Sequence, residues 1–292
     1  MNVSAPTTMV DANGLRFPVV DCGAGPPILL LHGFPNSRHL WRHQIPVLAA
    51  AGFRVIAPDL RGFGDAPKPQ ATDAYQLPTL LQDVIGILDT LDVDRPHIIG
   101  HDWGAAVAWR IVAYYPHRVG RFMSLSVGHP ENSGWETLRQ RELFWYHLYF
   151  QFAGVAEEWL SHDNWTGLRI WTRGQGDLDS AISALARPGA LTAALNWYRA
   201  LSKPRPVSVD TPALPPISCP VLGIWSDGDV FISEAAVKNS VEKLPGAAWQ
   251  YERITGAGHW LMLDKPDTLN HLAIEFLSGQ LASGSPQVSV RR

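Results

Sequence analysis

An aspartate enclosed by small residues lies in the most distinctive motif of the sequence, Gly100-His101-Asp102-Trp103-Gly104. A short apolar run at 97–99 precedes the motif, and a helical pattern begins directly after it. A strand, this motif and a helix together predict a nucleophile elbow, a turn so sharp that its middle side chain stands exposed above the sheet edge. The helix N-terminus favours a negative charge there. An Asp between glycines is usually an ordinary turn residue, but this setting predicts that the Asp102 carboxylate is a nucleophile.

A carboxylate nucleophile selects a different reaction from the serine that usually occupies such an elbow. Attack by a carboxylate on an acyl carbon would give a reactive anhydride, whereas attack on a saturated carbon gives an alkyl ester. Because an aspartate side chain ordinarily has a pKa of about 3.9, Asp102 needs no base for the first step. A base is needed afterwards, to activate the water that hydrolyses the ester.

The base and its orienting carboxylate are expected on late loops. Of the 11 histidines, His259 lies in a glycine-rich loop just before a helical pattern. Two carboxylates, Asp227 and Asp229, follow the apolar run at 221–225. Asp229 is favoured because the turn must run past the strand end before a side chain can face the histidine. The resulting chain order is nucleophile, acid, histidine, which is the order found with this kind of elbow.

Two backbone amides near the elbow are expected to stabilise the oxyanion of ester hydrolysis. The segment His32-Gly33-Phe34-Pro35 follows the apolar run at 28–31 and offers the N–H of Phe34. Trp103, directly after the nucleophile, offers the second N–H. We predict that these two amides form the oxyanion hole.

The elements that must position these residues follow the pattern of an α/β protein. Asn13-Gly14 suits a two-residue hairpin turn between extended segments at 7–11 and 15–21. Continuous apolar runs then alternate with amphipathic segments of helical length, as in a parallel sheet covered on both faces. The runs are at 27–31, 53–57, 97–100, 122–127 and 221–225, and the helices are predicted at 39–51, 77–91, 104–115, 233–243 and 266–281. The predicted fold class is therefore α/β, with a mostly parallel central sheet flanked by helices.

The alternation stops between residues 131 and 213. Long aromatic-rich helical stretches, such as 139–159, have no strand-like run between them. We therefore predict an inserted helical cap at 131–213 and a core made of 1–130 and 214–292. Prolines concentrated at 203–220 predict an extended return to the sheet, and the small and polar residues at 283–292 predict a frayed end.

Composition and charge exclude several classes of function. The net charge is −3 and no run of Lys or Arg could follow a phosphate backbone, so nucleic acid is not expected as a partner. The sequence has neither a signal-peptide pattern nor a membrane-spanning apolar run, so a cytoplasmic protein with no membrane partner is expected. Cys22 and Cys219 lack the spacing of a disulfide framework or a zinc site, and no metal is predicted. A homo-oligomer is left open.

These motifs resemble those of the α/β-hydrolase-fold epoxide hydrolases, the branch that includes the hydrolase domain of mammalian soluble epoxide hydrolase. The similarity spans residues 15–281 and includes the elbow, His32-Gly33-Phe34-Pro35, Arg61-Gly62-Phe63-Gly64 and Gly258-His259-Trp260. In the cap, Trp145-Tyr146-His147-Leu148-Tyr149-Phe150-Gln151 and Asn196-Trp197-Tyr198-Arg199 resemble the segments that carry the family's two epoxide-binding tyrosines. The resemblance implies that Tyr146 and Tyr198 are those residues.

The resemblance implies conversion of an apolar or aromatic epoxide to a vicinal diol, with water as co-substrate and no cofactor. Epoxide opening leaves an alkoxide, and two neutral phenols with a pKa near 10 can donate hydrogen bonds to it as its charge develops. His147, Trp197 and Trp260 are expected to line the substrate pocket. Asp65 and Ser226 stand where the family often has Ser and Gly, and His147 stands where the mammalian enzyme has an amide. None of the three belongs to the expected triad.

Two other functions remain open at this point. A haloalkane or haloacid dehalogenase would share the Asp nucleophile and the cap, but it would capture a halide with paired Trp or Asn N–H donors or with arginines. Trp103 is compatible with either reaction, and Phe34 stands where many haloalkane dehalogenases have Asn. A non-catalytic α/β-hydrolase that binds a small ligand as a receptor would commonly lack a triad member, whereas here the expected triad is complete.

Overall fold

The computed structural model describes residues 6–132, 137–201 and 213–280 of the chain. Within these residues, eight strands form one sheet in the order β1-β2-β4-β3-β5-β6-β7-β8. The strands are β1 Thr7–Ala12, β2 Leu15–Cys22, β3 Pro27–Leu31, β4 Arg54–Pro58, β5 His97–His101, β6 Phe122–Leu125, β7 Val221–Ser226 and β8 Trp249–Ile254. Residues 203–212 of the proline-rich segment and the predicted frayed end at 283–292 lie outside the described residues.

The sheet is mostly parallel, which confirms the predicted fold class. From β4 through β3, β5, β6 and β7 to β8, every neighbouring pair is parallel. The two remaining pairs, β1 with β2 and β2 with β4, are antiparallel. The hairpin turns at Asn13 and Gly14, whose φ angles of 47° and 73° lie in the left-handed region that such a turn requires. The turn predicted from these two residues is therefore confirmed.

The helices of the described residues fall into a core group and a group between β6 and β7. In chain order they are α1 Ile45–Ala50, α2 Leu77–Thr90, α3 Trp103–Tyr114, α4 Leu138–Leu143, α5 Trp145–Tyr149, α6 Val155–Trp171, α7 Leu178–Leu185, α8 Ala190–Leu201, α9 Glu234–Lys238, α10 Leu261–Asp264 and α11 Pro266–Leu277. None of them is both long and apolar enough to cross a membrane.

Two predicted helices are broken in the structure. The segment at 39–51 is a short 3-10 helix, Arg38–Trp41, followed by α1. The segment at 233–243 is α9 followed by a 3-10 helix, Asn239–Lys243. Both segments are helical, as predicted, but each consists of two shorter elements.

One strand, β8, is absent from the strands predicted by sequence. Its residues, Trp249–Ile254, alternate between apolar and polar types, and most of them are only half-buried. β8 lies at the edge of the sheet and pairs with β7 alone. A search for continuous apolar runs finds the central parallel strands but passes over such an edge strand.

The helices α4 to α8, which we call the cap helices, fill the described residues between β6 and β7 without any strand among them. The helical stretch expected at 139–159 is divided into α4, α5 and the start of α6. Residues 162–165 have non-helical dihedral angles, so α6 itself consists of two helices across a kink. The division of the chain at 131 and 213 stays a prediction.

The topology brings the candidate residues to one edge of the sheet. Because β3, β5, β7 and β8 are parallel, their carboxyl ends lie at the same edge. The loops that follow these strands carry Phe34, Asp102, Asp229 and His259 respectively.

Candidate active site

Asp102 occupies a strained backbone position between β5 and α3. Its φ and ψ are 52° and −124°, a conformation that non-glycine residues rarely adopt. Close backbone approaches surround it: a Cβ on Gly104 would lie 2.2 Å from the carbonyl oxygen of Leu31, and one on Gly33 would lie 2.2 Å from Asp102 Oδ1. Gly33 is therefore required by the space that the Asp102 side chain takes, and Gly104 by the backbone at the end of β3.

The two predicted oxyanion-hole amides both contact that carboxylate. The N–H of Phe34 donates to Asp102 Oδ1 at 2.8 Å. The backbone N–H of Trp103 also hydrogen-bonds to the Asp102 carboxylate. Oδ1 is thus held by the backbone, and Oδ2 is left facing His259.

His259 links the two carboxylates. Its Nδ1–H donates to Asp229 Oδ2 at 2.8 Å, and its Nε2 lies 3.7 Å from Asp102 Oδ2. The side chains of His259 and Asp229 are 2% and 0% exposed, whereas that of Asp102 is 18% exposed. The structure therefore brings the three predicted triad residues together, with the remaining exposure on the carboxylate that would react.

Asp229, and not Asp227, faces the imidazole. The second oxygen of Asp229 accepts the N–H groups of Phe231 and Ile232 at 2.8 and 3.0 Å, which fixes the orientation of the carboxylate. Asp227 instead accepts the N–H of Gly256 at 2.8 Å. The loop runs past the end of β7 before its carboxylate turns inward, as expected from the sequence.

The charges of Asp102, His259 and Asp229 shift one another's pKa values. Burial disfavours the His259 imidazolium, but the negative charges of Asp229 and Asp102 outweigh burial and raise the pKa of His259 to about 10. Burial likewise opposes ionisation of Asp102, but His259 outweighs it and lowers the pKa of the Asp102 carboxyl below its ordinary value. At neutral pH the site therefore holds an imidazolium between two carboxylates.

Buried side chains without a role predicted from sequence fix the backbone of the histidine loop. The carbonyl oxygen of His259 accepts from His101 Nε2–H at 3.0 Å and from Ser126 Oγ at 3.3 Å. Ser226 Oγ donates to the carbonyl oxygen of Gly258 at 2.6 Å. Burial lowers the pKa of His101 to about 3, which keeps this histidine neutral. No local sequence signal identifies these roles, because each contact joins residues far apart in the chain.

The two predicted tyrosines face the triad from the cap helices. Tyr146 on α5 is 4% exposed, Tyr198 on α8 is 2% exposed, and their ring centroids are 5.8 Å apart. Burial raises the pKa of both phenols well above the usual value, and the negative charge of Asp102 raises each pKa further. Both phenols therefore stay protonated, and both lie close enough to Asp102 to sense its charge.

The three predicted pocket residues have different surroundings. The ring of His147 lies 5.1 Å from that of Tyr198, and burial lowers the pKa of His147 to about 3. Trp197 donates its indole N–H to the carbonyl oxygen of Arg61 at 2.8 Å. Trp260 donates to Asn36 Oδ1 at 2.7 Å. Both indole N–H groups therefore serve as structural anchors, whereas His147 packs beside a candidate phenol.

Further aromatic rings surround the phenols. The ring of Tyr146 lies 5.1 Å from that of Trp171 and 5.7 Å from that of Phe231, and the ring of Tyr198 lies 4.9 Å from that of Phe150. Phe231 also packs on His259 at 5.0 Å. The site is thus walled by rings from the core and from the cap helices. Within the described ranges, no three His, Cys, Asp or Glu side chains are grouped so that they could hold a metal ion.

Comparison with known proteins identifies relatives with the same fold. The family model described as alpha/beta hydrolase fold matches residues 26–266. The chain is 33% identical to Epoxide hydrolase A of Mycobacterium tuberculosis (strain ATCC 25618 / H37Rv), over 95% of this chain and 99% of that protein. It is 30% identical to Bifunctional epoxide hydrolase 2 of Sus scrofa, over 90% of this chain and 53% of that longer protein.

Solved structures agree with this relationship. Epoxide Hydrolase A from Mycobacterium thermoresistibile superposes with a TM-score of 0.79 at 31% identity, covering 94% of this chain and 98% of that one. An epoxide hydrolase of the alpha/beta hydrolases superfamily from metagenomes of hot environments superposes with a TM-score of 0.84 at 30% identity, covering 97% and 100%. The fold is therefore shared along nearly the whole chain.

The pKa of His259 tests the pairing with Asp229. Asp229→Asn removes the largest charge that raises this pKa, so the pKa of His259 is expected to fall from about 10 towards 6.5. The measurement is an NMR titration of the His259 ring. Asp227→Asn is the matched control and should leave the pKa near its parent value, because Asp227 is bound to Gly256. Equal shifts in the two variants would show that the pairing is wrong.

Proposed function

The chain belongs to the epoxide hydrolases of the alpha/beta hydrolase fold family, and on that premise we propose that it converts an apolar or aromatic epoxide to a vicinal diol through an ester on Asp102. One observation carries this proposal. Asp102 Oδ1 is held by the Phe34 N–H, and Oδ2 lies 3.7 Å from His259. The aromatic walls around this carboxylate favour an apolar substrate.

In the first step, Asp102 Oδ2 attacks one carbon of the epoxide. A bond forms between this oxygen and the carbon, and the carbon–oxygen bond of the ring breaks to leave an alkoxide. Tyr146 and Tyr198 donate hydrogen bonds to the epoxide oxygen and stabilise the charge that develops there. Their protonated state in the resting protein supports this role, because only a neutral phenol can donate.

Transfer of the imidazolium proton to the alkoxide leaves His259 neutral. In the second step, His259 Nε2 takes a proton from water, and the water oxygen attacks the carbonyl carbon of the ester. The bond from that carbon to Oδ2 then breaks, Oδ2 leaves with the diol and takes the proton from Nε2, and the remaining water proton passes from the Asp102 carboxyl to His259. Asp229 holds the imidazole through Nδ1 and stabilises its positive charge. The carbonyl oxygen of the ester is Oδ1, which already accepts the Phe34 N–H, and the Trp103 amide acts on the same carboxyl group. The oxyanion therefore develops at an atom whose hydrogen-bond donors are in place before the reaction.

Loss of the Asp102 charge changes the pKa of His259 and of the two phenols in the direction that the reaction needs. When Asp102 becomes an ester, one of the two negative charges that raise the pKa of His259 disappears. The neutral imidazole that must act as base then becomes more populated at neutral pH. The same loss lowers the pKa of both phenols, which makes them stronger hydrogen-bond donors just as the alkoxide forms.

A dehalogenase is the second candidate, because it would use the same nucleophile and base. One observation favours it: the buried indole N–H of Trp171, beside Tyr146, has no hydrogen-bond acceptor among the described residues. The indole N–H of Trp103, next to the nucleophile, likewise has no acceptor there, so the two donors that halide capture takes are present. The indole N–H groups of Trp197 and Trp260 are already engaged. A receptor without catalysis is disfavoured by the close geometry of Asp102, His259 and Asp229.

Parallel assays decide between the two reactions. With equal enzyme, a styrene-oxide-like epoxide is expected to give diol, and a haloalkane is expected to release little halide. The reason is that two phenols can donate hydrogen bonds to the alkoxide of an opened epoxide, which must then be protonated. Diol is measured by chromatography and halide by an ion-selective electrode. Halide release faster than diol formation would reject the proposal in favour of the dehalogenase, and neither product would favour the receptor.

Replacing the base should trap the ester. His259→Gln removes the group that activates water but leaves Asp102 and its amide contacts, so the first step proceeds and the second stops. Intact-protein mass spectrometry after mixing with the epoxide is expected to detect one added substrate mass. Asp102→Ala is the control and should give no adduct. If the His259→Gln protein binds a readily turned-over epoxide without any added mass, the covalent mechanism is wrong.

Removing both phenol hydroxyls should slow epoxide opening. The double variant Tyr146→Phe/Tyr198→Phe is expected to form the ester at least about 100-fold more slowly, because donors to a developing oxyanion contribute effects of that order. Ester formation is followed by rapid mixing and mass analysis. Tyr149→Phe, on the same helix as Tyr146, is the matched control and should keep the parent rate. Unchanged ester formation in the double variant would remove the tyrosines from the mechanism.

A further inference from the structure

Gln175 contacts both late loops from the cap side of the site. It lies in the turn between α6 and α7, where its Oε1 accepts the backbone N–H of His259 at 3.1 Å. Its Nε2–H donates to the carbonyl oxygen of Gly228 at 3.1 Å. Gly228 directly precedes Asp229, so a single side-chain amide joins the loop of the imidazole to the loop of its carboxylate.

The backbone on both sides of this contact leaves room for it. A Cβ on Gly258 would lie 2.4 Å from Gln175 Oε1. Next to Gln175, Gly176 has a φ of 83°, and a Cβ there would lie 2.9 Å from the ring of Trp260. Glycines therefore stand where this turn and the histidine loop approach each other most closely. Any larger residue at either place would push the Gln175 amide away from the histidine loop.

The two loops are also joined without Gln175. The N–H of Gly228 donates to the carbonyl oxygen of Ala257 at 2.9 Å, and His259 is bound to Asp229. Both of these links lie within the core. Gln175 adds a link from the segment between α6 and α7, so the position of His259 also depends on how these cap helices pack on the core.

We propose that Gln175 is a positioning residue for the second step of the reaction. By holding both loops, it keeps His259 Nε2 where the imidazole can take a proton from the water that attacks the ester. The inference rests on the proposed two-step function. The first step uses the Asp102 carboxylate, which is held by the amides of Phe34 and Trp103 on other elements.

Loss of the Gln175 amide should therefore affect the two steps unequally. A general base must be positioned closely, and a displacement of about 1 Å can cost a factor of about 100 in rate. Met has nearly the length of Gln but can neither accept from His259 nor donate to Gly228. A mere loosening of the cap helices would instead displace Tyr146 and Tyr198 and slow the first step as well.

The test compares the two rate constants in full-length variants. A styrene-oxide-like epoxide is mixed rapidly with each protein, and the ester is followed as it forms and disappears. Gln175→Met is expected to slow ester hydrolysis at least about tenfold and to change ester formation less than about threefold. Gly258→Ala pushes the same amide away from the other side and should give the same selective loss.

The matched control is Asp177→Asn. Asp177 lies two residues from Gln175 and pairs with Arg42 at 3.0 Å, so it also connects the cap side to the core. The Asn retains an oxygen for the N–H of Ser180 at the start of α7. Both rate constants are expected to stay within about threefold of the parent values, because this ion pair does not touch the triad loops.

The outcomes separate this inference from the function on which it rests. If the parent protein forms no ester and no diol, the proposed function fails. If the parent shows both steps but Gln175→Met slows them equally or slows neither, only the positioning role is wrong. The same conclusion follows if Asp177→Asn reproduces the selective loss.

Discussion

The site depends on one partly exposed negative charge at the centre of an aromatic environment, the carboxylate of Asp102. An isolated charge in an aromatic environment would be costly, and this one is balanced by the Phe34 and Trp103 amides and by the imidazolium of His259. Asp229 in turn supports the imidazolium. The strain at the elbow and the close approach of Gly33 are the structural cost of this arrangement, since they bring the carboxylate within reach of its donors.

The same charge also acts on the cap side. It raises the pKa of both Tyr146 and Tyr198, so the phenols and the carboxylate form one electrostatic unit although they come from different parts of the chain. Burial of the cap rings on the core excludes water and strengthens these interactions. A change in the charge of Asp102 is therefore sensed by the phenols and the imidazole together, which ties the two proposed steps to one event.

Much of this arrangement could be predicted from local patterns. The strand–elbow–helix pattern located Asp102, and the run of apolar residues before Asp229 and the glycines around His259 located their loops. The edge strand β8 escaped because its residues alternate in polarity. The roles of His101, Ser126 and Gln175 escaped for another reason: each is defined by a contact with His259 from a distant part of the chain. Residue type alone does not indicate such partners.

Asp102 and His259 are held in part by different segments of the chain, and this difference affects where substitutions can be tolerated. The backbone groups that hold Asp102 come from the loop after β3 and from the start of α3, next to the centre of the core. The groups around His259 come from the late loops, from His101 and Ser126 at the ends of β5 and β6 and, through Gln175, from the cap side. Under the proposed mechanism, a change at Gln175 would therefore alter hydrolysis of the ester while leaving the nucleophile in place. A Cβ added at Gly100 or Gly104 of the elbow would lie less than 3 Å from backbone atoms, so the elbow leaves little room for such variation.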